Sequence, residues 1–233
     1  MCTNYVPTRA DRLQAQWGRS PARDDYVAEA YPGYVAPFLR ATPLSSRDAP
    51  SIELGVFGLI PSWSRDGKNF RHCYNARSET VADKPSFRNA WRHRQWCVIP
   101  ADAIFEPCYD TGKAVRWRIE RADGEPMALA GIWDAWRAPH GEPVLSFSML
   151  TLNADAHPVM RRFHRAGDEK RSVVMLEPES VMPWLQATHE EALALIRPFE
   201  GTQARMLEAP KVKTPAVHTA SSLAAPRGIS LFD

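Results

Sequence analysis

The most reactive pattern in this chain lies at its start. Removal of Met1 leaves Cys2 with a free α-amine and a thiol on adjacent carbons. An α-amine titrates near ~8 and a thiol near ~8.5, so both reach their nucleophilic forms close to neutral pH. Such a pair condenses with an aldehyde: the amine forms a Schiff base and the thiol then closes a five-membered thiazolidine ring. Taken alone, Cys2 also reads as an incidental small residue behind the start methionine. The other candidates are Asn75 and Arg77 in Tyr74-Asn75-Ala76-Arg77-Ser78-Glu79-Thr80, Glu106 at the end of an apolar run, and the histidines His157 and His164. Each has an ordinary alternative. Asn75 can bond a turn, Arg77 can pair with Glu79 across a strand, Glu106 before Pro107 can be an exposed strand end, and an isolated histidine is more often packed or solvated than reactive.

The elements that must position these groups follow from periodicity and punctuation. Thr8 caps a short helix running to Gln16 and Trp17, with Gly18 as its stop. Prolines 32, 37, 43 and 50, with Gly33, favour extended segments and loops in the stretch that follows. β-branched and aromatic runs predict strands over 52–60, 96–99, 115–119, 127–133, 144–152 and 172–176. Helices are predicted over 86–94, 181–186 and 190–196. A further one is capped by Asn153 or Asp155 and carries Pro158 in its first turn, with Met160, Phe163 and His164 on one face. The expected fold is α+β, a single domain over 1–208 built on a largely antiparallel, barrel-like bent β-sheet with flanking short helices. Residues 209–233, rich in Ala, Pro, Ser, Thr and Lys, are expected to form a flexible tail.

The 233 residues and 26.2 kDa exceed what a mini-protein scaffold needs, and no apolar run approaches the ~18 residues of a membrane span. The N-terminus lacks the pattern of a secretory signal, and the four cysteines (Cys2, Cys73, Cys97, Cys108) have neither zinc-ligand spacing nor disulfide density, which points to a reducing, cytoplasmic setting. Net charge is only +2, but it is unevenly spread. Residues 65–94 carry eight basic side chains against three acidic ones, and residues 177–208 carry six acidic against two basic. Trp63, Phe70, Tyr74, Phe87 and Trp91 interleave with the basic stretch. That composition suits phosphate contacts with base stacking on single strands, and it suits equally a solvated face over a Trp-rich core.

Order along the chain narrows these readings. Gly58-Leu59-Ile60-Pro61-Ser62-Trp63, Tyr74 to Thr80, Val98-Ile99-Pro100-Ala101-Asp102-Ala103-Ile104-Phe105-Glu106, Ala130-Gly131-Ile132-Trp133, Leu150-Thr151-Leu152-Asn153 and Phe163-His164 follow a second-position cysteine in that sequence. The chain so read resembles the SOS response-associated peptidase family, the abasic-site processing proteins, over roughly Cys2 to Leu185. The resemblance implies a DNA-damage-response protein that binds single-stranded DNA, captures the ring-opened aldehyde of an abasic site on Cys2 as a thiazolidine, and shields the lesion. It implies peptidase-type autoprocessing that exposes Cys2 and a lyase-like crosslinking activity. By the same resemblance Asn75 holds the cysteine and sugar, Arg77 grips phosphate, Glu106 is the catalytic acid, His164 rather than His157 is the proton carrier, and Trp63 lines the DNA face. No metal or cofactor is expected. The partner expected is abasic single-stranded DNA, with the protein a cytoplasmic monomer that is nucleoid-associated when bound.

The chain departs from the family pattern at three places. Thr3 and Asn4 follow Cys2 where glycine and arginine are common, Pro107 follows Glu106 where tryptophan is common, and His164-Arg165-Ala166-Gly167-Asp168 replaces a His-Asp-Arg-Met-Pro run. Two other classes remain readable in the same residues. One is a Cys–His peptidase or amidase acting in trans through Cys2 and His164; the other is a noncovalent single-strand binder using the basic aromatic stretch.

Overall fold

A computed structural model describes residues 2–41, 49–137 and 141–209. Apart from Ala209, the predicted tail therefore lies outside the described residues. In chain order the first elements are β1 (Tyr5–Pro7), α1 (Ala10–Trp17), β2 (Val35–Arg40), β3 (Ser51–Phe57), β4 (Asn75–Arg77) and α2 (Arg88–Arg92). There follow β5 (Trp96–Cys108), β6 (Val115–Arg121), β7 (Met127–Arg137), β8 (Pro143–Asn153), β9 (Arg171–Val173) and β10 (Met175–Leu176). The last are α3 (Val181–Gln186), α4 (His189–Leu195) and β11 (Ala204–Glu208).

Strands β7, β8, β3, β2 and β5 pair in that order, and β5 pairs back to β7, so five strands close into a barrel. The pairings are antiparallel except β3 with β8 and β4 with β8. Alternation along β5 explains its burial on both faces. Cys97, Ile99 and Ala101 join Phe38, Phe57, Leu129, Phe147 and Met149 in the cluster that fills the barrel. Trp96 and Val98 point the other way, into a second cluster with Leu13, Trp91, Trp184 and Leu185 from the helices. Trp96 and Trp184 each donate their indole N–H to a backbone carbonyl, Ala187 and Cys97 respectively, both at 2.9 Å. Two buried indoles thus lock α3 to the barrel wall with no polar group stranded. Among the described residues no helix is long and apolar enough to cross a membrane.

The α+β expectation holds, and most predicted elements are present. The differences have local causes. The strand expected to stop at Ile99 runs on to Cys108. Pro100 lies where β5 leaves β7 for its outer partners β1 and β6, so a lost amide is tolerated there. Helix α1 is capped at Arg9 without a side-chain bond, because the Thr8 hydroxyl donates to Asp102 at 3.0 Å instead. The helix expected after Asn153 does not form. His157 Nδ1 accepts the backbone N–H of Val159 and Met160 at 3.1 and 3.2 Å, leaving only a 3-10 turn over Met160–Arg162. Phe163 is then drawn into an extended bridge with Cys108.

Candidate active site

Cys2 is held between two strands. Residues 2–4 run into β1, which pairs with β5 so that Tyr5 faces Ile104, and the Phe105 N–H donates to the Asn4 carbonyl at 3.2 Å. Cys2 therefore sits beside the end of β5, where Glu106 projects. The Cys2 thiol donates to the Asn4 carbonyl at 3.4 Å, and only 1% of the residue is exposed. Burial, with the nearby Glu106 charge adding to it, pushes the thiol up to about 12 from an ordinary 9.0.

Asn75 reaches Cys2 from the opposite direction. It opens β4, a three-residue strand lying parallel on β8 with Asn75 opposite Met149. Its side-chain amide donates to the Cys2 carbonyl at 2.8 Å, while its buried Oδ1 has no hydrogen-bond partner among the described residues. Asn75 thus bonds the reactive segment and not a turn.

Glu106 is an interior carboxylate, 2% exposed, within β5 opposite Trp117 of β6. Its Oε2 lies 3.0 Å from Nε2 of His164. The imidazole is delivered by an unusual backbone: His164 has φ 67°, a left-handed conformation that costs a non-glycine residue roughly 1–3 kcal/mol. Its N–H donates to the Pro107 carbonyl at 2.9 Å and its own carbonyl accepts Lys170 Nζ at 3.0 Å, bonds that clamp the turn from both sides. His157, the rival histidine, is buried against the Phe199 ring, and its Nδ1 is committed to the two backbone amides of the 3-10 turn. Burial lowers its pKa, which suits a neutral acceptor.

The structure brings Cys2, Asn75, Glu106 and His164 to one place and sets Arg77 and Trp63 outside it. Arg77 is exposed at the end of β4 and pairs with Glu169 at 2.7 Å, not with Glu79. Glu79 is held instead by both terminal nitrogens of Arg171, each at 2.8 Å. Trp63 is 54% exposed and its indole donates to the Pro85 carbonyl at 3.2 Å. Two neighbours escaped the sequence reading. Tyr74 packs its ring on Phe57, and burial together with the charges of Cys2 and Glu106 raises its hydroxyl pKa. Asn4 is buried and its side chain bonds Glu29, so this position faces inward. Nothing in the spacing signals either contact, because both depend on which segments the barrel brings together.

A buried cysteine next to the chain start, an amide on its carbonyl and a carboxylate–imidazole pair, all carried by a closed β-barrel, define a barrel domain with a candidate cysteine-centred site. The family model described as SOS response associated peptidase (SRAP) matches residues 1–217. This chain belongs to the SRAP family. It is 30% identical over 179 residues to the abasic site processing protein YoqW of Bacillus subtilis, covering 74% of this chain and 76% of that one. It is 25% identical over 232 residues to the abasic site processing protein HMCES of Rattus norvegicus, covering 84% of this chain and 64% of that longer protein. A crystal structure of a protein from Bordetella bronchiseptica superimposes with a TM-score of 0.83 at 36% identity, over 90% of this chain and all of the other.

Proposed function

We propose that this protein captures abasic sites in single-stranded DNA by forming a thiazolidine on Cys2. The observation that carries the reading is the Asn75 amide, 2.8 Å from the Cys2 carbonyl, beside the Glu106–His164 pair at 3.0 Å. Hydrolysis of the Met1–Cys2 bond consumes one water and frees the α-amine. The amine adds to the aldehyde carbon of the ring-opened sugar, giving a carbinolamine. Loss of its hydroxyl as water leaves an imine. The Cys2 sulfur then bonds the imine carbon while its proton passes to the nitrogen, which closes the ring. No redox change occurs, and condensation releases one water.

A protonated thiol suits this order, since the amine leads and sulfur follows once the electrophile is bound. Glu106 and His164 supply the proton relay, to the departing hydroxyl and from the incoming thiol. Asn75 fixes the cysteine, Arg77 meets the phosphate backbone and Trp63 offers a face for a base. A Cys–His peptidase acting in trans needs a thiolate on its base. Burial keeps the Cys2 thiol protonated, and His164 Nε2 faces Glu106 Oε2 at 3.0 Å, so this arrangement favours capture over peptide turnover. The test is incubation with an abasic single-stranded oligonucleotide followed by a denaturing gel. Wild-type protein is expected to give a shifted band and Cys2→Ala none; a shifted band from Cys2→Ala would sink the mechanism.

A further inference from the structure

The N-terminal segment is gripped on one side by β5, and its other side is held by a device that no sequence pattern announces. Tyr5 and Ala30 form a bridge, with N–H to carbonyl distances of 3.1 and 2.8 Å. Next to it Glu29, only 9% exposed, directs a single carboxylate oxygen at three donors. These are the Asn4 side-chain amide, the Tyr31 hydroxyl at 2.7 Å and the Arg116 guanidinium at 2.5 Å. Arg116 belongs to β6, pairs in register with Pro107 and lies over the Phe105 ring at 3.3 Å, so it flanks Glu106 in the chain on both sides. Asn4 in turn offers its carbonyl to the Cys2 thiol and to Phe105 N–H at 3.4 and 3.2 Å. One network therefore touches the thiol at one end and the Glu106-bearing strand at the other.

We propose that Glu29 is a positioning residue for the chemistry at Cys2, acting through Asn4 and Arg116. The reason is geometric. Cys2 is anchored at its carbonyl by Asn75 and at its thiol by the Asn4 carbonyl and the Phe105 backbone. Asn75 acts directly, whereas the Asn4 anchor is only as well placed as Asn4 itself. Removing the carboxylate leaves three buried or partly buried donors without their shared acceptor, one of them a guanidinium, and that loss relaxes the segment bearing the thiol. Ring closure needs sulfur and imine carbon in contact, and a displacement of about 1 Å costs on the order of 100-fold in rate.

The inference rests on capture by Cys2, and the test separates the two. With saturating abasic oligonucleotide, Glu29→Ala is expected to form adduct 10- to 100-fold more slowly than wild type. Affinity for the same strand without a lesion should stay within about twofold, since positioning residues act after binding. Glu29→Gln, which keeps an acceptor oxygen, should recover most of the rate. Asn4→Ala provides a second variant that leaves Glu29 its Tyr31 and Arg116 partners, and it should be slowed like Glu29→Ala. A readout free of DNA is the pH profile of Cys2 alkylation, which should move down in pH in both alanine variants as the thiol becomes hydrated. Wild-type saturating rates in Glu29→Ala and Asn4→Ala would overturn the inference while leaving capture intact. Parallel losses of rate and of affinity for lesion-free DNA would also overturn it, since they mark a general structural role. If wild-type protein forms no Cys2-dependent adduct, it is the capture reading that fails.

Discussion

Two histidines seven positions apart show how residue type alone underdetermines role. His157 spends its Nδ1 on two backbone amides, and His164 presents Nε2 to a buried carboxylate. Replacing His157 by alanine strands those amides and opens a cavity against Phe199, so a loss of about 1–3 kcal/mol in chemical denaturation is expected. Replacing His164 by alanine keeps the Cβ and with it the left-handed strain, and should slow adduct formation by about 100-fold or more. A reversed pattern would exchange their roles. The choice of His164 over His157 rested on family order, since a positive φ at a non-glycine residue leaves no mark in sequence. The Cys2 thiol makes a pH prediction. An unfolded cysteine ionises near its ordinary 9.0, but the folded thiol resists to about 12. Alkylation of native Cys2 should therefore lag that of the denatured chain through this interval. The burial that keeps the thiol neutral stabilises the fold fully below pH 9.0 and is lost as pH climbs toward about 12.

At the scale of elements, short strands place the site and long ones build the frame. The frame is largely legible: 181–186 reads as a helix and forms α3, and the long strands β3, β5, β6, β7 and β8 appear in the periodicity. Strands β1 and β4, each three residues, carry no periodic signal, yet they deliver Cys2 and Asn75. β11 was also missed because exposed charged positions interrupt its apolar ones; its edge is held by Arg205 on Glu120. The turn after β4 depends on Glu79, whose ion pair with buried Arg171 lowers its pKa from 4.5 to about 2. A lowered carboxylate pKa adds stability above pH 4.5 that fades as pH falls toward 2, and Glu79→Gln should flatten this part of the stability profile. Gly58 links the segments bearing Trp63 and Asn75: its φ is 105°, and a Cβ there would lie 2.3 Å from the Phe70 carbonyl oxygen. Gly58→Ala should cost about 2 kcal/mol or more in denaturant melts; a neutral effect would mean the turn is not fixed as described.

Across the whole molecule, Cys2 and Glu106 are buried whereas Arg77 and Trp63 are exposed. Arg77 stands one residue beyond Ala76 on the strand that begins with Asn75, so under the proposed capture a phosphate bound there would lie on the strand that holds Cys2. Arg77→Ala should weaken binding of intact single strands and reduce the slope of log affinity against log salt by about 0.7, as loss of one phosphate contact requires. Adduct yield at saturating DNA should be preserved. An unchanged salt slope would remove Arg77 from the strand's path. The central claim is covalent capture, and intact mass tests it most directly. Purified protein is weighed before and after incubation with an abasic single-stranded oligonucleotide and with the same strand lacking the lesion. The account predicts loss of Met1, then a species equal to protein plus the abasic strand minus one water, absent with the intact strand and absent in Cys2→Ala. Loss of Met1 with no adduct, or an adduct that persists in Cys2→Ala, would contradict it.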